Sequence, residues 1–329
     1  MIATGELTAG DLALREATLD DAAFAADMYT ELQPDDPEDP VLWRHWWANV
    51  DPTATVRRLV ALRGGKPVGL AGIQHASWDK MPERYARVTG EVVKALRTPE
   101  RVGALLAQSE DLARRDGALR ATTWVWEWDR LRVDVVTSRG YREQRRERFW
   151  ELDLIANRSR LEEMTRDSRA RMDRQGIEVL TVADDPDPEK DRKIWRMSEE
   201  ASQDTPRTVP WVPTPFEVFR TWLQDPGIRE DRMWIARVGE DVVGISALSY
   251  PPVRGVVATD WTGTARSVRG KGVARALKCE TVMQAIALGV DRVRTDNDSQ
   301  NDPILHINDS MGYRPRPEMI QVIKELTGS

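Results

Sequence analysis

Apolar and polar positions along the chain run through the same pattern twice. RRLVALRGGKPVGLAGI (57–73) alternates like two strands about a Gly turn, and DRMWIARVGEDVVGISAL (231–248) repeats that arrangement. Gly69 then corresponds to Gly244. Farther on, Gly117 and Gly289 stop helices, and Thr123 and Thr295 end short apolar runs. Ser138-Arg139-Gly140-Tyr141-Arg142 resembles Ser310-Met311-Gly312-Tyr313-Arg314, and all three correspondences are 172 residues apart. Each half reads as a strand, helices, a meander, a Gly-opened helix, a strand, a short helix and a strand. That predicts an α/β (α+β) fold of two tandem domains, each a mixed sheet flanked by helices. The stretch 157–175, charged and free of Gly and Pro, predicts a connecting helix, which places the domains at 1–156 and 176–329. The Asp-Pro-rich 183–191 reads as a turn between strand and helix.

In the first half, WVWEWD alternates like a strand and puts Trp124, Trp126 and Trp128 on one face. Core or inter-domain packing is the expectation for that face, with a substrate wall as the sharper alternative.

In the second half, the strand-like 256–265 leads through RSVRGKGVA into a helix over 274–289. A strand, a Gly-rich basic turn and a helix together make an anion site. First-turn N–H groups lack intrahelical partners, and the helix dipole adds partial positive charge. Gly270 and Gly272 permit close approach of the backbone, Ala274 keeps the inner surface small, and Arg269, Lys271 and Arg275 add charge. A Walker A loop is excluded, because Ala265 and Gly272 stand where it requires Gly and Ser or Thr. A dinucleotide GxGxxG fits poorly, with Arg275 after the Gly pair. Carried back by 172 residues, Arg269 falls on Arg97, but Gly270, Lys271, Gly272 and Ala274 become Thr98, Pro99, Glu100 and Val102. Asn297 and Asn301 become Val125 and Asp129. One anion site is therefore expected, in the second half.

Composition narrows the partners. The 329 residues are 40% hydrophobic and 31% charged with a formal net charge of −6, a soluble balance that disfavours nucleic-acid binding. With Cys279 alone and three scattered histidines, no disulfide or metal site is expected. The acidic start and the lack of a long apolar run predict neither secretion nor membrane spanning, so a cytoplasmic location is expected.

The turn resembles that of the GNAT acyltransferase superfamily, whose Arg/Gln-x-x-Gly-x-Gly/Ala motif is matched by Arg269, Gly272 and Ala274. The following segment is similar too, through Thr295, Asn297, Asn301, Asn308 and Gly312-Tyr313, and the duplication is like that of tandem GNAT enzymes of the mycothiol synthase type. The resemblance implies acyl-CoA, acetyl-CoA above all, bound at Thr264, Ala265, Arg266, Arg269–Arg275, Asn297 and Asn301 between two splayed strands. It also implies direct attack by a small-molecule amine in a ternary complex, without a metal, in a monomer or homodimer. Asp260 is the candidate base. Glu199, Glu200 and Asp204 are candidates for handling a cationic acceptor, and backbone N–H groups near Thr264 and Ala265 are expected to face the oxyanion. The family often places a tyrosine acid where this chain has Asn308. That departure keeps open two alternatives: an inactive CoA-binding protein, or a transferase with a formimidoyl-type donor.

Overall fold

The computed structural model describes residues 7–326. They divide into two compact units, one of residues up to 147 with 208–212 and the segment from 317, the other of 148–207 with 213–316.

In chain order the first unit carries β1 (Leu7–Ala9), β2 (Leu12–Glu16), α1 (Asp21–Leu32), α2 (Pro40–Ala48), β3 (Thr55–Arg63), β4 (Lys66–His75), β5 (Tyr85–Val92), α3 (Pro99–Arg115), β6 (Arg120–Trp126), α4 (Arg130–Ser138) and the start of β7 (Arg142–Asp153). The second continues from the end of β7 through α5 (Arg158–Arg174), β8 (Glu178–Thr181), α6 (Lys190–Gln203), α7 (Phe216–Leu223), β9 (Met233–Val238), β10 (Asp241–Ser249), β11 (Ala258–Thr264), α8 (Val273–Ala287), β12 (Arg292–Asp298), α9 (Asp302–Met311) and β13 (Arg314–Pro315). The last strand, β14 (Met319–Glu325), returns to the first unit.

Strand order in the first unit is β1-β2-β3-β4-β5-β6-β14-β7, antiparallel except for β5 with β6. In the second it is β7-β12-β11-β10-β9-β8, and there β11 and β12 are the parallel pair. The sequential division expected at 156 and 176 differs from these units in two places. Helix α5 packs against α8 through Leu161, Met164 and Met172, so it is an integral layer of the second unit. Strand β14 fills the slot between β6 and β7, where Val322 and Ile320 join the first core.

The duplication has a packing basis. A Cβ on Gly69 would lie 3.2 Å from Leu105 of α3, and one on Gly244 would lie 2.9 Å from Leu277 of α8. Leu105 and Leu277 are 172 residues apart. In both units a glycine on the central strand lets the equivalent helix settle onto the sheet.

The tryptophans of β6 depart from expectation. Ala121, Thr123 and Val125 take the core face, while Trp124 and Trp126 are half-buried on the other side and Trp128 is exposed. Arg145 stacks over Trp124 at 5.2 Å. Alternation fixed the two faces, but Thr, Val and Trp all suit strands, so it did not say which one points inward.

Candidate active site

Strand β11 ends at Thr264, a short 3-10 turn spans Arg266–Val268, and α8 starts at Val273. Buried Val268 and Val273 anchor the turn in the core. Between them Gly270 and Gly272 have φ of +74° and +90°, which side-chain-bearing residues rarely adopt. Gly272 is the residue before the helix, and its carbonyl accepts the first helical bond from Ala276 N–H at 3.0 Å. The N–H groups of Val273, Ala274 and Arg275 are therefore first-turn donors without intrahelical acceptors. Helix α5 steadies the turn from behind. Arg171 Nη2 donates to the Gly270 carbonyl at 3.1 Å, and Gln175 Nε2 to that of Lys271 at 3.2 Å. With its carbonyls tied, the turn presents N–H groups.

The acidic candidates on and after α6 belong to this turn. Glu200 Oε1 accepts from Arg266 N–H at 2.7 Å, and Asp204 receives both Arg266 (2.7 and 2.8 Å) and Arg269 (2.6 Å). Those two guanidiniums hold the Asp204 carboxyl well below the usual carboxylate range, so it cannot serve as a base near neutrality. Arg269 likewise faces a carboxylate of the chain itself. Glu200, expected to be catalytic, instead braces the turn. Glu199 accepts from Thr214 N–H at 3.1 Å, and burial raises its pKa.

Strands β11 and β12 touch in register at Ala258 and Arg294 and then diverge, leaving a splay that opens toward the turn. Ala265 N–H donates to Val243 O at 2.9 Å. It is therefore spent in the sheet and is not the oxyanion donor expected of it. Because antiparallel pairs alternate, Thr264, opposite Gly244, directs its N–H away from β10 toward the splay. Thr262 shares a hydrogen bond with Ser246 at 2.9 Å.

The register slips where Trp261 pairs with Ala247 and Thr259 with Leu248, which leaves Asp260 as the extra residue of a bulge. The expected common face of Asp260, Thr262 and Thr264 is broken there, and Asp260 meets α7, where Trp222 Nε1 donates to Oδ2 at 2.6 Å. Although solvent reaches this side chain, the protein packed round it pushes its pKa up to about 6. The Trp222 bond acts against that shift, while the charges of Asp225 and Asp296 add to it.

Asn297 near the end of β12 accepts from Asn308 Nδ2 at 2.6 Å. Asn308 is fully buried, on the inner face of α9 with Leu305 and Met311. It therefore holds Asn297 in place and is not a proton donor, a correction to its candidacy as catalytic. Asn301 caps α9 by position, without a side-chain cap bond. Tyr313 packs in the core as expected, and Lys278 Nζ lies 5.1 Å over its ring. Lys278 is fully buried, with no hydrogen-bond acceptor for Nζ, and burial lowers its pKa to about 8. Sequence reasoning missed Trp222, Arg171 and Gln175, which act across long separations. Lys278 did carry a signal, a lone cation within the apolar face of ARALKCETVM.

At the start of α3 the equivalent groups are already engaged. The Thr98 hydroxyl accepts from Arg101 N–H, with Pro99 at the first helical position. Arg97 is held by Glu91 at 2.8 and 2.9 Å and by Asp129 at 2.9 and 2.5 Å. Asp129 also accepts from Arg132 N–H at the start of α4.

Among the described residues no helix is long and apolar enough to cross a membrane, and no group of His, Cys, Asp and Glu is arranged to hold a metal. Comparison with curated proteins finds no match. Among solved structures, a tandem GNAT protein from the clavulanic acid biosynthesis pathway is 16% identical, with 97% of this chain and 99% of that one covered at a TM-score of 0.72. A GCN5-related N-acetyltransferase from Sphaerobacter thermophilus is 17% identical, with 97% of each covered at 0.64. A glucosamine N-acetyltransferase region of a fungal multi-domain GH3 β-N-acetylglucosaminidase is 14% identical, with 95% of this chain and 38% of that one covered at 0.67. Residues 194–313, which contain the turn, the splay and α9, match the Acetyltransferase (GNAT) family. The chain is thus a GNAT-type N-acyltransferase with a tandem-GNAT fold, and its family domain lies in the second half.

Proposed function

We propose that the second unit transfers an acyl group, acetyl above all, from coenzyme A to the primary amine of a small molecule by direct attack, and that each chain has one working site. The turn Arg269–Ala274, with its first-turn N–H groups unspent beside an open splay, carries this reading. The coenzyme supplies an activated thioester carbonyl. Val273, Ala274 and Arg275 N–H hold its pyrophosphate, and Asn297 and Asn301 lie along the path of its amides. Thr264 N–H faces the developing oxyanion. Asp260, with a carboxyl poised near 6, takes the proton of the attacking ammonium, and Trp222 fixes its orientation. The leaving thiolate takes its proton from water, since Asn308 stands buried where a tyrosine would donate one.

Calorimetry with acetyl-CoA tests the site, with one molecule bound per chain expected. No binding, or two equal sites, overturns it. Thiol release across a panel of small amines tests the chemistry. The buried Asn308 motivates a second reading, a coenzyme-binding protein without turnover, which tight binding with no thiol release would establish.

A further inference from the structure

Behind the turn, α5 and the start of α8 enclose a cavity of about 330 Å³ whose lining includes Arg171, Arg174, Arg275, Asp167 and Gly272. We propose that this cavity is a phosphate monoester pocket and that it takes the 3′-phosphate of coenzyme A, next to the turn that takes the pyrophosphate. The proposal rests on the reading above.

Three arginines against one carboxylate leave the lining positive in a chain whose formal net charge is −6. Elsewhere the guanidiniums sit on carboxylates: Arg97 on Glu91, Arg139 on Glu110, Arg169 on Glu280, Arg237 on Asp185. Here they do not. Arg171 makes its one bond to the Gly270 carbonyl, and Arg174 and Arg275 have no partner among the described residues. Arg275 Nε is closed off from water with no acceptor, which is costly unless a ligand answers it.

The cavity is at the low end of ligand-pocket size, roughly 300 to 1,000 Å³, enough for one end of a coenzyme and not the whole. Arginine forks suit the paired oxygens of a phosphate monoester. The pyrophosphate has its own donors at Val273–Arg275, so the phosphate left over is the one on the ribose. Gly272 joins the two sites. Its Cβ would stand 3.2 Å from the Arg171 guanidinium, so the glycine lets α5 close against the turn.

The test compares coenzyme A with 3′-dephospho-coenzyme A by calorimetry on the full chain. The wild type is expected to prefer coenzyme A by roughly tenfold or more, the scale of a hydrogen bond to a charged group. Arg174→Gln, which removes a solvent-exposed side chain that touches only the pocket, should bring the ratio close to one while leaving affinity for the dephospho compound unchanged. Arg174→Lys should keep part of the preference. Matching thermal melts of the free variants check folding. Equal wild-type affinity for both compounds overturns the pocket and leaves the pyrophosphate turn standing, as does a ratio that Arg174→Gln does not move. If neither compound binds, the turn fails and the pocket with it.

Discussion

Two helix starts, that of α3 and that of α8, descend from one pattern and have gone opposite ways. At α3 a threonine caps the helix, a proline removes one N–H, and Arg97 is tied to two carboxylates, with its side chain 13% exposed. At α8 two glycines in left-handed conformation stand in place of cap and side chain, and Arg269 is exposed on a single carboxylate. Both ends satisfy the same physical demand, that first-turn donors find acceptors. The first does so with its own atoms and is a finished piece of structure. The second leaves the acceptors to come from outside. An anion site here is a helix start that the chain has left incomplete.

The largest expected effect comes from writing the first start into the second. Gly272→Glu corresponds to Glu100; it puts a carboxylate where phosphate would lie and a side chain at φ +90° against Arg171, so coenzyme binding should vanish from a calorimetric titration. The reverse change, Glu100→Gly, should gain none, because Arg97, Pro99 and Asp129 still close the first start. A gain there would undo the contrast.

Next in size is Asp260→Asn. Turnover should fall by roughly 10² to 10⁴, the range of general-base catalysis, and wild-type kcat/KM should rise as pH passes through about 6, a limb that the variant lacks. The sign for stability is opposite. A carboxyl whose folded pKa is raised disfavours folding once it ionises, so the variant should be the more stable above pH 6, while the two should converge below about pH 4.

Lys278 aligns with Leu106 of the first unit, and Lys278→Leu restores that residue. A base with a folded pKa near 8 and an unfolded one near ~10.4 penalises folding fully below pH 8, and the penalty fades as the unfolded chain also loses its proton. Urea unfolding at pH 7 should show a gain of roughly 1 to 4 kcal/mol, shrinking above pH 10. The smallest effect is that of Asp204→Asn. Releasing Arg266 and Arg269 should tighten coenzyme binding a few-fold at low salt, and added salt should erase the difference.

What the sequence disclosed follows how local each feature is. Gly270 and Gly272 need only their own backbone angles to make a turn, and the 172-residue repeat needs only counting, so the turn and the duplication were readable. The partners of Arg266 lie more than sixty residues upstream, and Arg171 reaches the turn across 99 residues. No short pattern encodes such pairings. The bulge at Asp260 was hidden for a related reason: a register slip belongs to two strands, whereas alternation is read along one. Asn308 was visible as a departure, but its burial depended on which face of α9 turned inward.

Strand β14 has a consequence for how the protein is made. The slot between β6 and β7 is filled by residues 319–325, which leave the ribosome after everything else that has been described. Until then the first unit lacks an interior strand and exposes two unpaired edges, even though its other strands were synthesised long before. The unit whose strands come first is therefore completed last. Ending the chain after residue 316 should damage the half of the protein farthest from the cut in sequence, leaving β6 and β7 as sticky edges prone to aggregation.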